Sequence, residues 1–225
     1  MSMPFYVSPE QMTKDRADYA RKGIARGRAM AACTYQGGVL LCAENPSRML
    51  RKISEIYDRI GFGGVGKYNE FDQLRIAGVR AADLKGYAFS REDVDARALA
   101  NQYAQMLGHV FTAEMKPMEV EILVAEVGAD ASGDQLFHIL YDGTLVDETG
   151  WCVLGGEAEA IGERMGAAWV EGGTLGEALR AAVGALAGPD RTLAAAELEV
   201  AVLDRGNGRR SFRRIDDDEV ASLLG

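Results

Sequence analysis

Two tight-turn signals, each set between apolar segments, constrain this chain more than any other feature. Ala29–Tyr35 and Val39–Glu44 flank Gln36-Gly37-Gly38, and Leu136–Tyr141 and Thr144–Val146 flank Asp142-Gly143. Short apolar runs on either side of a glycine-containing turn are hairpin signatures. Between the two hairpin regions the spacing changes to helical. One helix is expected from about Asn69, carrying Phe71, Leu74, Val79 and Ala82. A second, opened by the Ser90/Asp93 capping pair and ended by Lys116-Pro117, carries Leu99, Tyr103, Met106, Leu107, Val110 and Phe111 on one face. Two more follow the second hairpin, over Glu157–Val170 and from Thr174, whose Glu177 completes a capping box, to the Gly188-Pro189 stop.

Further short strands are expected near Lys52-Ile53-Ser54, Ile56–Ile60, residues 119–128, Trp151–Gly156, Glu197–Leu203 and Phe212–Ile215. Ser8-Pro9-Glu10-Gln11 opens a polar helix over 9–23, with a capping serine and a proline at the first helical position. An acidic helix closes the chain over 216–225. Strands in hairpin runs, separated by helix pairs, do not build a doubly wound parallel sheet. The order predicts an α+β protein: a four-layer α/β/β/α sandwich over 28–215 with an extra N-terminal helix, forming one domain over 1–225. No internal repeat or linker interrupts it.

Charge narrows the partners. The chain carries 25 Lys and Arg against 34 Asp and Glu, a net charge of −9, which disfavours nucleic-acid binding. Residues 1–28 nevertheless carry a net +3, from Lys14, Arg16, Arg21, Lys22, Arg26 and Arg28 against Glu10, Asp15 and Asp18. Such a segment is either a solvated helix face or a surface that docks on an acidic neighbour, including another copy of the chain. No apolar run approaches the roughly 18 residues of a membrane span. The N-terminus also lacks the basic start and apolar stretch of a signal peptide, so a cytoplasmic protein with no membrane partner is expected.

The most conspicuous motif is Gly61-Phe62-Gly63-Gly64-Val65-Gly66-Lys67, which fits both G-x-G-x-x-G and G-x-x-x-x-G-K. A phosphate cradle would need a hydroxyl residue after the lysine, where Tyr68 stands, or a parallel strand ending in an acid about 20 residues on. The reading preferred on these grounds is that the glycines allow close strand–helix packing. No nucleophile elbow is present. Cys33, Cys42 and Cys152 lie in apolar strand patterns, and His109 and His138 have no partner at ligand spacing, so neither a metal site nor a cofactor is expected. A turn centred on Gly37-Gly38 would set Cys33 opposite Cys42, and in a reducing compartment these would be two core thiols rather than a disulfide.

Several longer motifs carry a resemblance. Ser8-Pro9-Glu10-Gln11, Ala20–Gly27, Ala43-Glu44-Asn45-Pro46-Ser47-Arg48, Lys52–Arg59, Gly66–Arg75, Leu99–Gln105 and Lys116-Pro117 together resemble the α-type subunits of actinobacterial 20S proteasomes. The similarity runs from residue 1 to about 187 and more weakly to the end. It implies the N-terminal nucleophile hydrolase fold, and it puts the glycine-rich stretch at a strand-to-helix turn.

The resemblance also implies roles. In catalytic β-type relatives, processing exposes a threonine just before the first hairpin; that position falls at about Arg28, within a continuing chain. Glu44 and Lys52 fall where the β-type site has its acid and its lysine. Without a hydroxyl and a free α-amine there is no nucleophile, so no catalytic residue is expected. The chain would instead form the outer ring with copies of itself, above a β-subunit that supplies the threonine-type endopeptidase activity. Ser2, Met3, Pro4, Phe5, Tyr6, Val7 and Ser8 would form the axial gate. Lys52 would receive the C-terminal carboxylate of a ring-shaped ATPase or other activator. Met118 and Glu119 would stand at the pore annulus through which unfolded proteins pass, where archaeal and eukaryotic members carry an aromatic residue and glycine. The alternatives are an autonomous hydrolase of the same fold and a P-loop-like nucleotide binder.

Overall fold

Ser8 caps the first helix as its sequence signal requires: its Oγ accepts from the Gln11 amide at 3.2 Å, and Pro9 occupies the first turn of α1 (Pro9–Ala25). The computed structural model describes residues 8–225. The expected gate residues Ser2–Val7 therefore lie outside the described residues. Ser8, the last of them, is the helix cap.

The chain then forms β1 (Met30–Tyr35), β2 (Gly38–Glu44), β3 (Ile53–Tyr57) and β4 (Ile60–Gly66), followed by α2 (Tyr68–Ala88) and α3 (Ala96–Ala113). Next come β5 (Val120–Glu126), β6 (Gln135–Ile139), β7 (Leu145–Glu148) and β8 (Trp151–Leu154), then α4 (Ala158–Ala168) and α5 (Leu175–Ala187). β9 (Leu198–Asp204), β10 (Phe212–Ile215) and α6 (Asp217–Leu224) complete it. One sheet has the order β10-β9-β2-β1-β8 and the other β3-β4-β5-β6-β7, and every pairing is antiparallel.

Three apolar layers hold the sandwich. Ala31, Cys33, Leu40 and Cys42 on the outer face of the first sheet meet Ile161, Met165, Leu179 and Leu186 of α4 and α5. Met30, Val39, Leu41 and Leu203 of the same sheet meet Leu123 and Ala125 of the other in the central layer. Phe62, Ile122 and Val124 pack outward onto Phe71, Leu74, Tyr103 and Leu107 of α2 and α3. Because both sheets are covered on both faces, β2 and β4 read as continuous apolar or glycine runs, with no alternation. α1 closes one end of the sandwich, burying Ala20 and Ile24 in the central layer.

The expected sandwich is the observed one, with four local corrections. The first hairpin turns at Gln36-Gly37, since Tyr35 pairs with Gly38, so Cys33 faces Leu40 and Cys42 faces Ala31. The two short segments expected at 52–54 and 56–60 merge into one strand over Ile53–Tyr57, β3; the turn follows at Asp58-Arg59, and Ile60 already opens β4. The glycine-rich stretch is not a turn but the strand β4, paired on both sides. Finally, Ser90 caps only a single 3-10 turn at Arg91–Asp93, and it is Asp95 that caps α3, accepting from the Ala98 amide at 2.7 Å. Both are good capping residues, and the turn between them postpones the helix by one cap. The Thr174/Glu177 capping box forms as read.

Candidate functional site

Residues 28, 44 and 52, far apart in sequence, converge where α1 hands over to β1. After α1 the chain bends through Gly27, whose amide donates to the Ile24 carbonyl at 2.9 Å. A Cβ on Gly27 would lie 3.1 Å from the Gly66 nitrogen, so a side chain there would crowd the end of β4. The backbone continues through Arg28 as ordinary peptide, with no free amine at this point. The Arg28 guanidinium lies on Glu44, at the end of β2. Arg191 holds the same carboxylate with two hydrogen bonds of 3.1 Å. Burial pushes the Glu44 carboxyl up, but the two guanidiniums outweigh it and hold the group below the usual carboxylate range.

Lys52 is fixed by a residue that sequence reasoning missed. Glu199, on β9 and only 3% exposed, accepts from the Lys52 amide at 2.8 Å, the Ile53 amide at 3.3 Å and Asn45 Nδ2 at 2.7 Å. Arg214 Nη1 adds a fourth donor at 2.8 Å and its Nη2 also donates to the Ile53 carbonyl at 2.6 Å. One carboxylate thus binds the head of β3 in the second sheet to β9 in the first. From this anchored backbone the half-buried Lys52 side chain turns to donate to the Arg28 carbonyl. Burial pushes its pKa down to about 8, against the pull of Glu44 and Glu199. Glu55, three residues on, pairs with Arg210.

Met118 and Glu119 lie at the entry to β5. Glu119 is buried beneath α1: a Cβ on Gly23 would lie 2.3 Å from its Oε1. Lys116 and Lys67 approach its carboxylate at 2.8 and 3.5 Å, and Lys116, with Lys67 behind it, holds it below the usual range. Glu70 accepts from the Glu119 amide at 2.7 Å and from Lys116 at 2.7 Å. Met118 is half-buried against the α2/α3 layer, and the neighbouring Met115 is fully exposed.

The basic character of α1 is partly structural. Arg16 donates to the Val110 and Glu114 carbonyls, satisfying the end of α3, and Arg21 lies over the Tyr141 ring. On the same helix Met12 and Tyr19 are exposed, beside Met115 and Pro117.

The glycine-rich segment has no phosphate cradle. Its residues are spent on ladders with β3 and β5, whereas a cradle needs free amides in a loop ahead of a helix. The glycines make room for side chains: a Cβ on Gly63 would lie 2.3 Å from Met30 Cε, and one on Gly64 2.6 Å from the Phe71 ring. Cys33 and Cys42 are buried, which raises the Cys33 thiol to about 12 and Cys42 further, so both are inert. The third thiol has company. Cys152, His138 and Glu148 lie together although no sequence spacing links them. Burial opposes charge on His138, but Cys152, Glu121 and Glu148 lift its pKa to about 11.

Two antiparallel sheets face to face between helix pairs are the architecture of the N-terminal nucleophile hydrolases. A sequence profile described as proteasome subunit matches residues 24–203. The chain is 63% identical over 225 residues to proteasome subunit alpha of Acidimicrobium ferrooxidans, spanning all of this chain and 97% of that one. It is 60% identical to proteasome subunit alpha of Sanguibacter keddieii over all of its length and 92% of the relative's, and 58% identical to that of Xylanimonas cellulosilytica over 96% and 93%. The chain belongs to the proteasome subunit family, among its actinobacterial α-type members. Among the described residues, no helix is long and apolar enough to cross a membrane.

Proposed function

We propose that this chain is the non-catalytic, gate-forming outer-ring subunit of a threonine-type endopeptidase core particle in the cytoplasm. The observation that carries this reading is Arg28. It falls at about the position that the resemblance gives to the β-type nucleophile, in unbroken backbone, with its guanidinium on Glu44 and its carbonyl on Lys52. The acid and the lysine remain, but no hydroxyl or free amine is there to be activated. Peptide cleavage then falls to a β-type partner, whose assembly this ring supports.

Lys52 is the proposed docking point for an activator's terminal carboxylate. Around it Arg28 and Arg191 share Glu44, and Arg214 pairs with Glu199. The Lys52 ammonium donates to the Arg28 carbonyl, and an incoming carboxylate would gain a charge-assisted hydrogen bond from it. Residues 2–8 are the proposed gate, held at its base by the Ser8 cap. Exposed Met12 and Tyr19 on α1 suit packing against a neighbouring copy. Half-buried Met118, with Glu119 buried behind it at the turn between α3 and β5, marks the proposed annulus through which unfolded chains would enter.

Purifying the chain with and without a β-type subunit tests this reading. Alone it should cleave no peptide and keep its unprocessed intact mass; with the β-subunit it should form rings whose activity a threonine-directed inhibitor blocks. Lys52→Ala should keep assembly and basal cleavage but lose stimulation by an activator. Cleavage by the chain alone would instead support an autonomous hydrolase.

A further inference from the structure

The second sheet ends at β7 and the first at β8, and the chain crosses from one edge to the other through Thr149 and Gly150. At this crossing three side chains from three strands point at one another: His138 of β6, Glu148 of β7 and Cys152 of β8. His138 Nδ1 lies 3.7 Å from Glu148 Oε1, and that oxygen lies 4.0 Å from Cys152 Sγ. All three candidate ligand atoms fall within 4.8 Å of one another.

These separations are too long for good hydrogen bonds. They are close to the spacing a metal imposes. Zinc–ligand bonds of about 2.0–2.3 Å in a tetrahedron put ligand atoms roughly 3.3–3.8 Å apart. The other face of the imidazole points the same way. His138 Nε2 is buried with no hydrogen-bond partner, yet Glu121 Oε2 stands 3.6 Å from it, held by the Gly155 amide at 3.2 Å. A metal-bound histidine ordinarily donates its second N–H to such a carboxylate, which fixes its orientation.

We propose that His138 Nδ1, Glu148 and the Cys152 thiolate bind a zinc ion, with Glu121 as the carboxylate that orients His138. Imidazole, carboxylate and thiolate together suit a borderline divalent transition ion rather than calcium or magnesium. A groove of about 520 Å³ lined by Glu148, Trp151, Cys152 and α4 residues runs past two of the three ligands. Binding displaces the protons of the thiol and of the imidazole Nδ1, which pass to solvent. The ion would brace the free edges of the two sheets, a structural role separate from Lys52 and the gate.

Metal analysis of the full-length chain, produced without a histidine tag and desalted after exposure to zinc, should find one zinc per chain. Cobalt(II) should saturate at one equivalent, with the intense visible bands of a tetrahedral site and a thiolate charge-transfer band. Both signals should vanish in Cys152→Ala and His138→Ala and persist in a Cys33→Ala/Cys42→Ala double variant. Glu121→Gln should keep the cobalt spectrum and weaken zinc affinity by roughly 10- to 100-fold. The wild-type cobalt spectrum decides the matter even if a variant fails to fold. Substoichiometric zinc without a thiolate band, or binding unchanged by Cys152→Ala, would overturn the proposal.

Discussion

The main-chain amide of Lys52 donates to Glu199 Oε2 at 2.8 Å, joining residues 147 positions apart. The same carboxylate receives Asn45, Ile53 and Arg214, so the proposed docking lysine is held by the rear of the sandwich rather than by its own loop. Removing the carboxylate leaves a guanidinium, two main-chain amides and the Asn45 side-chain amide without that acceptor. Glu199→Ala should therefore cost about 3–5 kcal/mol of stability, and Glu199→Gln, which keeps one acceptor oxygen, about 1–3 kcal/mol. Urea unfolding of the isolated chain measures both, and a loss under about 1 kcal/mol for alanine would show that the tie is dispensable.

The lowered pKa of Lys52, about 8, gives its proposed docking role a pH signature. A base is charged below its pKa and neutral above it. Attraction for an activator's carboxylate should thus be intact below pH 7 and fade above pH 8, by at most about tenfold per pH unit because one proton is linked. Lys52→Arg, charged throughout, should flatten the profile of stimulation against pH. Folding shows the opposite sign. The unfolded lysine keeps its proton to about pH 10.4, so between pH 8 and that value the unfolded state binds more protons and stability rises with pH. Lys52→Met should lose that rise, as unfolding across the alkaline range would reveal.

Deleting residues 2–7 while keeping Ser8 separates the proposed gate from the helix cap. Ser8 Oγ satisfies the Gln11 amide, and losing such a cap costs about 1 kcal/mol, which would confuse a longer deletion. In an assembled α/β complex the shorter deletion should speed hydrolysis of small peptides several-fold, and of unfolded proteins more. Equal rates with assembly intact would place the barrier elsewhere.

The glycines of β4 make a prediction that distinguishes packing from ligand binding. Gly64→Ala drives a methyl group against the Phe71 ring, whereas Gly63→Ala meets the flexible end of Met30. Gly64→Ala should cost about 1–3 kcal/mol and Gly63→Ala less. ATP with Mg²⁺ should shift the melting temperature of neither variant nor of the parent. A nucleotide-dependent shift lost in Gly64→Ala would restore the phosphate-binding reading.

What the sequence revealed was local or long-patterned. The Ser8 cap and the Thr174/Glu177 box form as read because each is decided within four residues. The hairpin turn was harder: moving it from Gly37-Gly38 to Gln36-Gly37 changes pairing partners but keeps Cys33 and Cys42 on the same face, so hydrophobic pattern has no power to choose. β4 was hidden by its glycines, which weaken a strand's own preference; its neighbours β3 and β5 and the side chains of Met30 and Phe71 establish it. Positions 28, 44 and 52 were legible through family resemblance, but Glu199 was not. Its role exists only once β9 lies beside β2. The same holds for His138 and Cys152, brought together by a crossing between sheets.

The sheet order also bears on how the chain is made. β2 takes β1 as one neighbour at once, but its other neighbour, β9, is synthesised about 160 residues later. At roughly 5–20 residues per second, that leaves an unpaired strand edge for roughly 8–32 s on the ribosome. During this interval Val39–Ala43 would present open backbone to any other nascent chain. The second sheet, built from β3 through β7, can finish first. A ribosome stalled before residue 198 therefore holds one completed sheet and one unfinished edge, a product poised to self-associate wrongly before it can take its place beside another subunit.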